Sequence, residues 1–442
     1  MLTLSEIYPL IMKPLRHFDN LDALRFIAFF SVFCLHMVSF GLYFNGEGWY
    51  RWIEESLLLN GDLGVNFFFT LSGFLITNLL LQEREDTGKI NIGSFYARRF
   101  LRIWPLYFAL VFVGFYVLPS ILSFFPQANP FKPEFSLIPY DRLGYYLGFL
   151  VNFDLTTNSY PSPVLAVLWS ISVEEQFYIF WPLLIAMVPR KYLIYSLFAV
   201  LAGTALYRFM QWHEIASIFN QYQLGNVDMP HPADVVARFD ALRLKATYVT
   251  RFHTFSILSD ITMGALLAYG LFYSERIRIY FKNLPQKSIV LPYMLAIGLI
   301  IIRDETYSLR FYSIIQFVHA LEPMLFSFIF AFIIGEQHYS DNSFYKFGKL
   351  RLISSFGKFS YGMYIWHLVV IWMVFFLFKL LHLQPDVDNP WVFLSQIILC
   401  FIITLFVAKI SYKLIEEPFL KIRNRFRSGK STDHFTGEKG LL

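Results

Sequence analysis

Ten runs of about 20 mostly apolar residues follow one another along the chain, at about residues 22 to 44, 63 to 81, 101 to 125, 163 to 188, 191 to 212, 254 to 273, 288 to 303, 315 to 336, 359 to 380 and 391 to 415. Each is about as long as a helix needs to be to cross the hydrocarbon core of a bilayer. In lipid the backbone N–H and C=O groups must be satisfied within the chain, so the pattern predicts an all-α polytopic membrane protein with about ten transmembrane helices. Composition agrees. Charged residues make up 16% of the 442 residues and hydrophobic ones 56%, whereas a soluble domain carries about 25% charge. The charges are too few to cover the surface of a soluble globule of this length. The stretch 143 to 153 (LGYYLGFLVNF) is apolar but too short to cross unaided, which predicts an interfacial or re-entrant segment.

An even number of spans puts both termini on one side, and Lys and Arg mark that side as cytoplasmic. Lys13 and Arg16 precede the first span, and Arg84, Lys89, Arg98 and Arg99 follow the second. Arg190 and Lys191, then Arg276, Arg278, Lys282 and Lys287, then Lys346, Lys349, Arg351 and Lys358 fall on the same side, as do Lys421, Arg423, Arg425, Arg427, Lys430 and Lys439. The opposite loops are poor in Lys and Arg: the first has Glu47, Glu54, Glu55 and Asp62 against Arg51, and the last has Asp386 and Asp388. The chain therefore divides into a cytoplasmic segment 1–20, a transmembrane domain 21–420 and a basic cytoplasmic tail 421–442. From about Ser428 the tail is polar enough to be disordered. The first apolar run is too long for a cleavable signal peptide and contains Arg25 and His36. The longer outer segments 126 to 162 and 213 to 253 read as ordered caps or substrate loops. Cys34 and Cys400 lie inside apolar runs and read as packing residues.

An ionisable group near mid-membrane costs a few kcal/mol or more, so each one there is a functional hypothesis. In LDALRFIAFFSVFCLH, Arg25 and His36 stand eleven residues apart. That is about 16 Å along a helix and about 20° from three full turns, so they share one face. Such a stripe suits an anionic cofactor entering from the cytoplasm, although Arg25 could instead snorkel to lipid phosphate and His36 make a structural hydrogen bond. In SFYARRFLRIWPLYF, Arg98, Arg99 and Arg102 cluster at the cytoplasmic mouth of the third span. Arg99 and Arg102 share a face and can grip a phosphate; the alternative is a positive-inside anchor. LWSISVEEQFYIFWPLL sets Glu174 and Glu175 at about the depth of His36, with Ser170, Ser172 and Gln176 beside them. Adjacent residues point about 100° apart, so at most one carboxylate can orient His36 for general base work. A structural ion pair is the other reading.

SYGMYIWH lines up Tyr361, Tyr364 and His367 at steps of three behind Ser360. GVNFFFTLSGFLIT supplies Asn66, Thr70, Ser72 and Gly73, where small residues favour close helix packing. His253, Asp260, His319 and Glu322 are weaker candidates. A phosphate loop, a dinucleotide fingerprint, an HExxH or cysteine metal site and a GxSxG elbow are all absent. ATP-driven transport and zinc chemistry lose support, and no metal or nucleic acid is expected.

These motifs, in this order and over residues 20 to about 420, resemble the acyltransferase family 3 of integral membrane O-acyltransferases. The resemblance implies transfer of an acyl group, usually acetyl, from cytoplasmic acyl-CoA to a hydroxyl of a cell-envelope glycan, glycolipid or similar acceptor, in the inner or plasma membrane. It carries roles to Arg25 and His36, to Arg99 and Arg102 with Arg98 beside them, and to Glu174 or Glu175. In the mechanism this suggests, CoA phosphates dock on Arg99 and Arg102 with help from Arg25, and the pantetheine arm brings the thioester to His36. Some members add a C-terminal hydrolase-like domain. This sequence ends about 27 residues after the last span, so the expectation is that it acts alone or with a separate partner. The competing expectation is a secondary transporter of a glycan precursor that uses the same His and Glu residues as a proton relay. Inverted repeats, the mark of such transporters, are not evident. For orientation, a cysteine placed at Lys89 is expected to react with an impermeant maleimide in inside-out vesicles and not in intact cells; labelling of intact cells would reverse the topology.

Overall fold

A computed structural model describes residues 19–39, 53, 58–130, 140–158, 163–223, 232–306, 314–383 and 389–426. Lys13, Arg16, Glu47, Arg51, Glu54, Glu55, Asp386, Asp388, Arg427, Lys430 and Lys439 lie outside the described residues. In chain order the helices are α1 (Asp19–Ser39), α2 (Leu63–Thr87), α3 (Ile92–Phe112), α4 (Leu118–Phe124), α5 (Leu143–Leu147), α6 (Val151–Asn158), α7 (Leu168–Met187), α8 (Arg190–Gln223) and α9 (Pro232–Phe252). They continue with α10 (Thr254–Tyr273), α11 (Glu275–Lys282), α12 (Gln286–Thr306), α13 (Ile315–Tyr339), α14 (Arg351–Gly357), α15 (Ser360–Leu380), α16 (Pro390–Ser411) and α17 (Glu417–Arg423). No strand occurs among the described residues.

Nine helical segments among the described residues are long and apolar enough to cross a membrane, and they match nine of the ten apolar runs. The remaining run, 163 to 188, folds as α7. Its 20 residues make about 30 Å of helix, the thickness of the hydrocarbon core. Ser170, Ser172, Glu174, Glu175 and Gln176 lower its hydropathy, and much of its length packs against α2, α3, α6 and α10. The protein is therefore a multi-pass all-α membrane protein in which α7 carries its cluster of polar residues into the bundle.

The two outer segments expected as ordered caps or substrate loops contain helices. In residues 213 to 253, α8 continues to Gln223, about 51 Å long by its 34 residues, and α9 is helical from Pro232 to Phe252. The helix outlasts its apolar run because Trp212, Ile215 and Ala216 pack on Ala246 and Ile315, which stabilises a stretch too polar to be read as a span. Residues 143 to 158 form two short helices. They break at Phe149, whose φ of 54° lies in the left-handed region that a bulky residue rarely adopts. Gln176 Nε2 donates to Phe149 O at 2.8 Å and to Asn152 Oδ1 at 2.9 Å, and the Tyr107 hydroxyl donates to Tyr146 O at 2.7 Å. Broken backbone survives inside a membrane protein where protein groups satisfy it in this way.

Helix ends follow local chemistry. Gly88, with φ 74°, closes α2 in the left-handed conformation, and the Asn91 side chain accepts from Ser94 N to start α3. The central packing is the crossing of α2 over α10. A Cβ at Gly73 would lie 1.9 Å from Ile261 O, and one at Gly264 would lie 1.8 Å from Thr70 O. The two backbones touch, so small residues are obligatory there. Gly73→Val and Gly264→Val are each expected to force the helices apart and remove most monodisperse protein in detergent size-exclusion chromatography. Gly203→Val, a position with open space around its Cβ, is the control expected to behave as wild type.

Candidate active site

A cavity of about 630 Å³ opens between α2 and α3 and runs inward along α2. Its lining residues on α2 extend from Val65 to Thr87, about 33 Å at helical rise, so the cavity reaches most of the way through the hydrophobic layer. Arg25, Arg98, Arg99, Arg102 and Arg423 line it, as do Ser72, Glu174, Ser170, Tyr361 and Tyr364. His36, His367 and Glu175 are not lining residues. Sequence positions far apart are thus gathered by α1, α2, α3, α7, α15 and α17.

The arginines are held differently. Arg25 pairs with Asp22 one turn earlier on α1. The Arg98 guanidinium donates to Phe426 O at 2.8 Å and meets Glu83 at 3.3 Å. Arg99 sits 5.5 Å from the centroids of both Phe95 and Tyr178, within cation–π range, and its buried Nε has no hydrogen-bond partner. Several cationic groups in a water-accessible cavity, with donors left over, suit an anionic ligand of phosphate type.

The two glutamates part company, as their 100° divergence requires. Glu174 faces the cavity, where Ser72 Oγ donates to its Oε1 at 2.8 Å and the Tyr178 hydroxyl to its Oε2 at 3.1 Å. Glu175 is 3% exposed; Trp104 Nε1 donates to its Oε2 at 2.9 Å, and Oε1 is buried without a partner. The expectation is that one of them orients His36; at Nδ1 the structure places His367. His36 Nδ1 lies 2.8 Å from His367 Nε2, and His367 Nδ1 lies 2.7 Å from Tyr364 O.

This chain fixes the protons. A backbone carbonyl can only accept, so His367 donates from Nδ1; its neutral ring then accepts at Nε2, and His36 donates from Nδ1. Neutral His36 consequently carries its lone pair on Nε2, the atom a general base needs. Tyr364 joins the pair to the cavity: its hydroxyl lies 2.7 Å from Ser170 Oγ at the cavity wall, while its carbonyl holds His367. The tyrosine and histidine ridge of α15 thus borders the cavity through Tyr361 and Tyr364 and reaches His36 through His367. Sequence reasoning passed over Tyr178 and Trp104 in these roles. Tyr178 stands one turn from Glu174, a spacing that could have flagged it, whereas Trp104 meets Glu175 only through the packing of α3 on α7. By sequence Arg423 belongs with the basic cytoplasmic edge, and its context carries no further signal.

The other intramembrane polar residues belong to a second region. Asp260 accepts from Asn66 at 3.1 Å and from Ser327. Arg303 forks onto Asp62 at 2.7 and 2.9 Å and donates to Glu322 at 2.8 Å. His319 stacks on Trp212 with ring centroids 3.7 Å apart, and His253 caps α10 through Phe255 N at 3.2 Å. These groups tie helices together away from the cavity.

A family model described as an acyltransferase domain, acyltransferase family 3, matches residues 18–411. The chain belongs to the acyltransferase 3 family. It is 26% identical over 414 residues to the O-acetyltransferase OatA of Staphylococcus aureus strain NCTC 8325, and likewise to that of strain COL. A putative O-acetyltransferase of the same species is 26% identical over 420 residues. In each case the match covers 92% of this chain and 58% of the relative, so the chain spans well under two thirds of the length of these relatives. No solved structure matches the chain. Glu175 is expected to tolerate a polar and an apolar replacement unequally: Glu175→Gln keeps an acceptor for Trp104, whereas Glu175→Leu leaves the indole N–H unpaired at a cost of about 1 to 3 kcal/mol. A lower melting temperature in detergent for Glu175→Leu than for Glu175→Gln checks this.

Proposed function

We propose that the protein is a membrane O-acyltransferase that takes an acyl group, acetyl in the simplest case, from cytoplasmic acyl-CoA and esterifies a hydroxyl of a cell-envelope glycan. The observation that carries the reading is the cavity's two-ended chemistry. Arginines gather where α2 meets α3, and Tyr364 leads from the far wall to an imidazole pair. In this reading the CoA phosphates bind Arg99 and Arg102, with Arg25 and Arg98 beside them, and the pantetheine arm extends along the apolar stretch of α2 toward Ser170 and Tyr364. The names of the relatives, O-acetyltransferases, support acetyl as the group moved.

The reaction follows from the protonation pattern. The acceptor hydroxyl approaches His36, whose Nε2 takes the proton as the oxygen attacks the thioester carbonyl. The C–S bond breaks, CoA leaves as a thiolate, and the proton on His36 passes to the sulfur. His36 Nδ1–H stays bonded to His367 Nε2 throughout, so the imidazolium keeps its orientation. A neutral histidine stabilises that cation less than a carboxylate would, but it adds no second buried charge at mid-membrane. Ser72 and Tyr178 hold Glu174 on the cavity wall, where its carboxylate limits the net positive charge around the donor.

Purified protein incubated with acetyl-CoA and an envelope glycan extract is expected to release CoA, with an added acetyl mass on one sugar by mass spectrometry. Absence of CoA release with any acceptor fraction would overturn the donor assignment. His36→Ala should lower the rate by about 10²-fold or more at wild-type expression, and His367→Phe should lower it in the same direction by less. Arg102→Ala should raise KM for acetyl-CoA about tenfold or more, the size of one charge-assisted hydrogen bond.

A further inference from the structure

Glu416 takes no part in the chemistry above, yet it is a nearly buried carboxylate on the turn that leads into α17, whose Arg423 lines the cavity. It sits in the π-helical turn Tyr412–Glu416, where α16 passes into α17. It is 9% exposed, and its Oε1 is buried without a hydrogen-bond partner. A carboxylate in such a place is costly unless a cation compensates it. A π-turn inside a helix is uncommon and marks functional sites more often than ordinary ones. Here it interrupts a long apolar helix that is mostly uncovered by protein, and it turns this one acidic side chain inward. Gly362 makes room: a Cβ there would lie 3.1 Å from Glu416 Oε1.

The π-turn packs against α3, and the α3 cation whose charge reaches the Glu416 carboxylate is Arg102. Arg102 lines the cavity, feels the like charges of Arg25 and Arg99, and makes no hydrogen bond or ion pair with any described residue. Glu174 also acts on Arg102, but its oxygens already accept from Ser72 and Tyr178. The neighbouring Tyr361 hydroxyl donates to Ile103 O at 2.8 Å, which locks α15 to α3 one residue beyond Arg102. Four elements thus converge on one guanidinium that has no direct partner among the described residues.

We infer that Glu416 is a positioning residue for the donor site: its carboxylate, aimed inward by the π-turn, holds the Arg102 guanidinium against the repulsion of Arg25 and Arg99 so that it meets the donor's phosphate already oriented. The inference rests on the acyl-CoA reading above. Preorientation strengthens binding by reducing the ordering cost at the moment of contact, so its loss should appear in donor affinity before it appears in turnover.

The test measures CoA binding by calorimetry and initial rates with acetyl-CoA for wild type, Glu416→Gln, Arg102→Ala and the double variant, each checked for monodispersity. Glu416→Gln keeps the shape and removes the charge. The expected result is a dissociation constant for CoA and a KM for acetyl-CoA raised about fivefold or more, a smaller change in kcat, and no further rise when Glu416→Gln is added to Arg102→Ala. A merely structural role predicts instead equal losses in both backgrounds and a kcat that falls with the folded fraction. An unchanged KM and dissociation constant in Glu416→Gln, or additive effects in the double variant, would overturn the inference while leaving the donor reading intact. Wild-type protein that binds no CoA would overturn the donor reading itself.

Discussion

A carboxylate or guanidinium placed in hydrocarbon must find hydrogen-bond and charge partners within the bundle, and the arrangement of helices around α2 meets that requirement. On one flank α2 touches α10 backbone to backbone across Gly73 and Gly264, and Asn66 there reaches Asp260. On the other flank Ser72, one residue before Gly73, donates to Glu174 of α7. A single helix therefore presents a packing face and a polar face at the same depth. α7 is free to carry five consecutive or near-consecutive polar residues because α2, α3, α6 and α10 screen much of it from lipid.

The polar groups fall into two sets with different degrees of satisfaction. Around Asp62, Arg303 and Glu322 the donors and acceptors are mutually matched, with a bidentate fork at 2.7 and 2.9 Å, the geometry of a structural clamp. In and around the cavity the matching is incomplete. Arg99 Nε, Glu175 Oε1 and Glu416 Oε1 are buried without hydrogen-bond partners, and Arg102 has no direct partner among the described residues. A membrane protein can leave cationic donors unmatched where water or an anionic ligand can reach them, and the cavity provides that access.

The paired imidazoles alter the picture of catalysis that His36 alone suggests. An adjacent carboxylate would fix the His36 tautomer by charge, whereas His367 fixes it by the directionality of one backbone carbonyl, Tyr364 O, transmitted through a neutral ring. The same residue, Tyr364, contributes a hydroxyl to the cavity wall, so the cavity and the imidazole pair are mechanically joined by one turn of α15. His36 belongs to α1 and His367 to α15, so the geometry of the pair depends on how these two helices pack.

Much of this was legible in the sequence, because hydrophobic runs, basic loops and helical spacing are local properties. Residue order alone determined that the chain is helical and crosses a membrane many times, that Arg99 and Arg102 share a face, and that Glu174 and Glu175 cannot point the same way. It also singled out His36, His367 and Ser72 as polar groups in expensive places. Tertiary structure decided the partners: which glutamate faces the cavity, that His367 rather than a carboxylate stands at His36 Nδ1, and that Glu416 and Arg423, from the last helix, return to the third. The physical reason is that periodicity fixes direction around a helix axis, while a hydrogen bond requires two helices to meet at a given height and rotation. That meeting is set by close contacts such as Gly73 on Ile261 and by the π-turn at Tyr412–Glu416: the chain marks Gly73 as small but not the helix it meets, and it carries no signature of the turn.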